Sequence, residues 1–393
     1  MTRKGSAWGT RFRAGSIALP IAIVLVSAVF AARSAQAQTF TVLYAFTGGA
    51  DGASPWAGLI RDGAGNLYGT TPYGGASGYG TVFMLNKSGK ETVLYSFAYS
   101  DGAWPYAGLI RDAAGNLYGV ATGGGGSGYG TAFKVAKTGK ETTLYTFSGA
   151  DGATPFAGLV QDAAGNLYGT TSTGGASSVG TAFKLAKTGK ETVLHSFTGT
   201  GGDGSYPEAG LVRDANGNLY GTTVSGGASV YGTVFELNKT GKETVLYSFS
   251  GGTDGGYPLY GYLVRDAAGN LYGTTELCGA WGVGTVFKLD KTGKETVLYS
   301  FTEGADGGYP LAGLVRDAKG NLYGTTESGG ASDYGTVFKV DSTGKETVLH
   351  SFNGSTDGGS PYAGLLRDAK GNFYGTTSTG GASGYGTVFK LTP

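Results

Sequence analysis

Apolar and polar residues alternate along this chain in short runs cut by glycine-bearing turns, and the whole pattern returns about every fifty residues. Alternation of period two is the signature of strands with one buried face, whereas helices need a period near 3.6. In the first complete copy it predicts four strands, over Ala57 to Asp62, Asn66 to Thr71, Gly80 to Asn86 and Glu91 to Phe97. The turns Gly63-Ala64-Gly65 and Lys87-Ser88-Gly89-Lys90 join the first to the second and the third to the fourth, and a Gly-rich loop from Tyr73 to Gly78 joins the middle pair. The string Gly-Asn-Leu-Tyr-Gly marks the second strand at Gly65, Gly115, Gly165, Gly217, Gly269 and Gly320, with Gly-Asn-Phe-Tyr-Gly at Gly371. A four-stranded unit repeated at this spacing cannot bury its apolar face without its neighbours, which is the condition for a propeller blade.

The phase of the repeat separates a ring from an open stack. The first strand after residue 38 is of the fourth type, Phe40 to Phe46, and the last is of the third type, Gly386 to Leu391. Seven copies of each strand are therefore present, and the seventh blade must borrow its outer strand from the start of the repeat region. The expected fold is all-β: a seven-bladed β-propeller with four antiparallel strands per blade, closed by the N-terminal strand. Such closure removes the exposed edges that an open stack would have to cap.

Residues 1–37 differ from the rest. Arg3, Lys4, Arg11 and Arg13 precede an apolar run from Ile17 to Ala32, and Ala35-Gln36-Ala37 offers small residues to a signal peptidase. The expected organisation is a cleaved signal peptide over 1–37 and a single propeller domain over 38–393, secreted to the medium or periplasm and monomeric. Pro20 and the short apolar core weigh against a retained membrane span. Of 29 basic and 28 acidic side chains, five basic and no acidic ones precede residue 38, leaving 24 against 28, a net charge of −4. That balance supplies no basic stripe for phosphates, so nucleic acid is not an expected partner. The single cysteine, Cys278, excludes an internal disulfide framework.

The long motif Gly-Leu-Ile-Arg-Asp-Gly-Ala-Gly-Asn-Leu-Tyr-Gly-Thr-Thr, followed by Gly-Gly-Ala-Ser-Gly-Tyr-Gly-Thr-Val-Phe, resembles the GloVer tandem-repeat proteins of bacteria over nearly all of residues 39 to 393. The resemblance implies an exported protein, often attached to the surface through varied C-terminal anchors, with no defined molecular activity and no catalytic residues to carry over. The sequence closes on Leu391-Thr392-Pro393 without a sorting tail, which favours release or a periplasmic location.

Alternating strand direction places the loops between strands two and three, and between four and the next blade's first, on one rim. The opposite rim holds Asp-x-x-Gly turns beginning at Asp62, Asp112, Asp162, Asp214, Asp266, Asp317 and Asp368, read as solvated hairpins whose Asp caps local backbone. The first rim carries Asp-Gly-x-x-Pro loops at Asp51, Asp101, Asp151, Asp203, Asp254, Asp306 and Asp357. These read as Asx turns, since no Asp-x-Asp-x-Asp cluster offers calcium the six to eight oxygens it wants. Around the loop proline stand Trp56, Trp104, Tyr106, Phe156, Tyr206, Tyr257, Tyr309 and Tyr362, and the neighbouring loops add Tyr73, Tyr79, Tyr129, Tyr231, Trp281, Tyr334 and Tyr385. An aromatic rim of this kind can stack on sugar rings or hold a protein partner.

Variation between copies is where catalysis would show. The fifth blade carries Glu276-Leu277-Cys278-Gly279-Ala280-Trp281 and Tyr260-Gly261-Tyr262, Glu208 follows the proline of the fourth, and Glu327 and Asp333 sit in the sixth. Acids on neighbouring blades facing one channel could form a general acid/base pair. His195 and His350 stand where other outer strands carry tyrosine, so they are expected to fill aromatic positions between blades, with no second His, Cys or carboxylate nearby to complete a metal set or a triad. No metal or cofactor is expected. The expected function is a binding module for a glycan or an envelope protein through Trp56, Trp104, Tyr106, Phe156, Tyr206, Tyr257, Tyr309, Tyr362 and Trp281. The alternative is a propeller lyase or hydrolase using Glu208, Glu276, Glu327 and Asp333.

Overall fold

A computed structural model describes residues 38–393 of the chain; the expected signal peptide, 1–37, lies outside the described residues. The fold is an all-β propeller of seven blades, each a sheet of four antiparallel strands. Blade 1 runs Ile60–Arg61, Leu67–Thr71, Thr81–Leu85 and Glu91–Ser96, and the next five follow the same order. In blade 7 the strands Leu366–Arg367, Phe373–Thr377 and Thr387–Thr392 are joined by Thr39–Ala45, in a register from Thr39 opposite Thr392 to Ala45 opposite Thr387.

The hydrophobic cores lie between blades, because each sheet presents one apolar face to the blade before it and one to the blade after. A phenylalanine just after each outer strand meets, edge to face, a phenylalanine of the next blade's third strand. The pairs include Phe97 with Phe133 at 4.9 Å, Phe197 with Phe235 at 5.1 Å, Phe352 with Phe389 at 5.4 Å and Phe46 with Phe83 at 5.2 Å between ring centroids. The glycine of the Leu-Tyr-Gly motif makes room for this ring. At Gly169, which faces Phe183 across the sheet, a Cβ would stand 2.8 Å from Phe183 Cζ and 2.9 Å from Leu159 Cδ2. Gly169→Ala should therefore overpack one junction and lower stability by about 1–3 kcal/mol. Denaturant unfolding checks this, and unchanged stability would mean the ring has somewhere to go.

One expectation needs correcting. The first strand, expected over Ala57 to Asp62, is paired only at Ile60–Arg61. The residues before it converge on the axis, where glycines of successive blades touch: a Cβ on Gly158 would lie 3.2 Å from the Gly108 carbonyl oxygen. Their backbone groups bond between blades instead. Thr70 Oγ1 donates to the Ala107 carbonyl at 3.0 Å, Thr274 to Ala312 at 3.0 Å, Thr325 to Ala363 at 3.0 Å and Thr376 to Ala57 at 3.1 Å.

The two rims carry the turns assigned to them. Each Asp-x-x-Gly carboxylate is satisfied locally, as at Asp62, which accepts from the Asn66 backbone, the Asn66 side chain and the Tyr68 hydroxyl at 2.8, 2.9 and 3.0 Å. On the other rim the loop after each outer strand bridges to the loop between strands two and three, as Ala53 does to Tyr73 and Ala103 to Gly123.

Candidate functional site

The proline of each Asp-Gly-x-x-Pro loop divides its aromatic neighbours into two groups. The residue before it is in the left-handed region, φ 58° at Trp104, 56° at Tyr206 and Tyr257, and 55° at Tyr309. That bend turns its N–H onto the preceding blade: Trp104 donates to the Tyr79 carbonyl at 3.0 Å, Tyr206 to Val179 at 2.8 Å, Tyr257 to Tyr231 at 2.8 Å and Tyr309 to Val283 at 2.9 Å. These four side chains belong to the outer rim. The residue after the proline points toward the axis, so Trp56, Tyr106, Phe156 and Tyr362 line one axial cavity together with Glu208. Trp281 belongs to neither group, standing 67% exposed on its own loop.

Within the cavity the rings touch in sequence. Trp56 stacks on Tyr362 with centroids 4.2 Å apart and planes 5° from parallel, Trp56 meets Tyr106 at 4.9 Å, and Tyr106 stacks on Phe156 at 5.3 Å. The fifth blade then breaks the symmetry. Seven positions separate Pro258 from Arg265, against six from Pro55 to Arg61, and the added residue puts two tyrosines near the axis. Tyr260 stands 6.2 Å from Trp56 and 6.0 Å from Phe156, reaching rings of blades 1 and 3. Tyr262 occupies the place where other blades have glycine. Its side chain lies so close to blades 3 and 4 that a Cβ on Gly158 would sit 1.9 Å from its hydroxyl and one on Gly210 1.8 Å from its ring. A backbone hydrogen bond from Gly158 reaches its hydroxyl, while burial pushes that phenol up to about 12. The axial opening is thus a cup of about 190 Å³ with Tyr262 among its lining residues.

Of the four candidate carboxylates Glu208 lines this cup; Glu276 stands near enough to act on it, and Glu276 and Glu327 on its tyrosines. Burial pushes Glu208 up to about 7, with the Glu276 charge adding to it. Glu276 is likewise pushed up to about 7, by burial and then by Glu327. Glu327 accepts a 2.6 Å hydrogen bond from the Tyr362 hydroxyl. Burial, followed by the charges of Glu208, Glu276 and Glu327, raises Tyr260 well above the ordinary phenol range. The cup's lining residues include no Lys or Arg. Asp333 is elsewhere: it is exposed, and its Oδ1 accepts from the Gly329 backbone N–H at 2.9 Å within its own loop. Cys278 is half-buried, and burial pushes its thiol up, away from a reactive thiolate.

The histidines also depart from expectation. Both fill aromatic positions, as His195 does edge-on to Phe197 at 4.7 Å, but each has a carboxylate beside it. His195 Nε2 lies 3.4 Å from Asp203 and His350 Nε2 3.0 Å from Asp357. The loop Asp folds back over the outer strand it follows, a closure that seven or eight residues of separation do not reveal. Among the described residues, His195, Asp203 and Glu243 bring their ligand atoms within 4.8 Å of one another. Tyr262 as a channel residue had a signal in the added residue of blade 5, while this cluster had none in the spacing alone.

The pattern of the Gloeobacter/Verrucomicrobia repeat matches residues 27–183 and 160–389. No curated protein matches the sequence. Among solved structures, the extracellular domain of a hybrid two-component system from B. thetaiotaomicron superposes with TM-score 0.58 at 14% identity, over 90% of this chain and 41% of that one. That of a one-component system from the same organism gives 0.56 at 15%, again over 90% and 41%. A protein provisionally described as a 6-phosphogluconolactonase from Bacteroides uniformis gives 0.50 at 16%, over 75% and 84%. The chain therefore spans about two fifths of the length of the two extracellular domains. Among the described residues no helix is long and apolar enough to cross a membrane.

Proposed function

The chain belongs to the Gloeobacter/Verrucomicrobia repeat family, and from that premise we propose that it is an exported, monomeric binding module whose axial cup receives the end of a glycan. The observation that carries this reading is the convergence of Trp56, Tyr106, Phe156, Tyr260 and Tyr362 with Glu208 in one cavity. Aromatic faces stack on the C–H faces of sugar rings, and carboxylates accept the hydroxyl protons at their edges. The cup is smaller than the roughly 300–1,000 Å³ of common ligand pockets, which suits a terminal ring and not the middle of a polymer. Glu208 among the lining residues, with Glu276 acting on it and Glu276 and Glu327 on Tyr260 from nearby and no Lys or Arg in the lining, disfavours anionic ligands, including a phosphorylated lactone. Extracellular placement of two structural neighbours supports export.

The test is a glycan array and a titration of its hits with the purified protein. Trp56→Ala should weaken binding roughly ten-fold or more, and Trp281→Ala should leave it unchanged. The reverse pattern would move the site to the outer rim and favour an envelope protein as the partner there.

A second reading rests on the place of Glu208 in the cup, where burial weakens its acidity, as it does that of Glu276. A carboxyl that titrates near neutral pH can donate a proton to a leaving oxygen, as glycoside cleavage requires. If bound oligosaccharides are cut, Glu208→Gln should abolish product release while keeping affinity within a few-fold; intact ligand after prolonged incubation removes this reading.

A further inference from the structure

At each junction between blades the outer strand, the Asp loop and the next outer strand bring three side chains together. Five junctions carry Tyr, Asp and Glu, and the phenol donates to the carboxylate, as Tyr95 does to Asp101 at 2.5 Å and Tyr299 to Asp306 at 2.9 Å. Two junctions differ. Between blades 6 and 7, His350 bonds Asp357 at 3.0 Å, and Phe40 takes the place of the Glu, stacking on the imidazole at 3.8 Å. That junction is complete without a further group.

Between blades 3 and 4 the histidine keeps its Glu. His195 Nε2, Asp203 Oδ1 and Glu243 Oε1 are all buried from solvent without a hydrogen-bond partner; the Glu oxygen is left so at four Tyr junctions as well, at Glu91, Glu191, Glu295 and Glu346, and the unpartnered imidazole nitrogen and Asp oxygen set this junction apart. Asp203 Oδ2 is already held by the Thr198 backbone and hydroxyl at 2.8 and 2.9 Å, which fixes the carboxylate in place. The three side chains bring ligand atoms within 4.8 Å of one another, and with the imidazole proton on Nδ1 the facing lone pairs form a site that a cation would satisfy. One imidazole nitrogen and two carboxylate oxygens match the ligand preferences of Zn²⁺, which takes three protein ligands and a water.

We propose that His195, Asp203 and Glu243 form a mononuclear site for a divalent first-row transition ion, Zn²⁺ foremost, that pins blade 3 to blade 4. The sister junction at His350 is its internal control, having the same His–Asp pair without the third ligand. Binding couples to stability because the ion holds only the folded arrangement.

The untagged full chain, stripped with EDTA and desalted, is titrated with Zn²⁺ alone by calorimetry and with Co²⁺ alone by visible absorption, and melted with and without Zn²⁺. One equivalent should bind, Co²⁺ should give ligand-field bands of a low-coordinate site, and the melting temperature should rise. His195→Tyr installs the residue of the five sister junctions and should keep the fold while losing the ion, the bands and the shift. Glu243→Gln should weaken binding by ten-fold or more, and His350→Tyr should change nothing. Absence of stoichiometric binding, binding retained in His195→Tyr, or equal loss in His350→Tyr would each overturn the assignment.

Discussion

Deleting residues 38–46 is expected to abolish cooperative unfolding of the monomer and drive the protein into oligomers. The deleted strand pairs with Thr387–Thr392 along its whole length and carries Phe46, fully buried against Leu59, Leu67 and Phe83 of blade 1. Truncating one such phenylalanine alone is worth about 3–5 kcal/mol. Loss of the strand also exposes Thr387–Thr392 as an unpaired edge, which recruits strands from other molecules. It removes Tyr44 from Asp51, to which the phenol donates at 2.9 Å. Calorimetry and light scattering read both effects, and Phe46→Ala gives the graded version: a lowered melting temperature with the monomer retained. A deletion variant that stays monomeric and melts where the parent does would show that the ring does not depend on this strand.

Thermal stability should peak near pH 5 and fall by several degrees toward pH 8. Glu91, Glu141, Glu191, Glu295 and Glu346 begin the outer strands, half-buried and next to the loop aspartates. Burial, with Asp51, Asp101, Asp151, Asp254 and Asp306 adding like charge, pushes each up to about 7 from the ordinary 4.5. The folded protein then binds more protons than the unfolded chain between these values, so stability is lost as pH rises through that window. Solvent screening at half-exposed positions reduces each contribution to about 1 kcal/mol. Below the window the sign reverses. Burial acts to raise Asp62, Asp112, Asp162, Asp266 and Asp368, but the hydrogen bonds from the asparagine amides outweigh it and hold them below the usual carboxylate value. Their contribution is present above pH 3.8 and lost as pH falls through the folded value. Melting curves from pH 3 to 9 test this, and Glu91→Gln with Glu346→Gln should flatten the alkaline side. A melting temperature that is constant or rising from pH 5 to 8 would contradict it.

The blades were legible in the sequence because their packing is written seven times: the phenylalanine pairs, the glycine beneath each ring and the capped Asp turns recur in register. The innermost strand was overread. Ala57 to Asp62 has strand-like alternation, yet near the axis its backbone answers to the threonines of the neighbouring blade and not to a second ladder. The candidate site was legible by residue but not by grouping. Trp56 and Trp104 both stand beside a loop proline, and only the left-handed conformation at Trp104 sends the two to different surfaces. Tyr260 and Tyr262 were visible as deviations of blade 5, but their meeting with Trp56, Phe156, Gly158 and Gly210 is a contact across the ring that local sequence does not encode. The same is true of His195, Asp203 and Glu243, which come from two blades and the loop between them.

The axial cup is the centre of the functional account, and a crystal structure of the protein with an oligosaccharide identified on the array tests it most directly. A sugar ring stacked against Trp56 or Tyr260, with its hydroxyls turned to Glu208, is the predicted result. Density for the sugar on the outer rim beside Trp281 or Tyr206, with the cup empty, would contradict it.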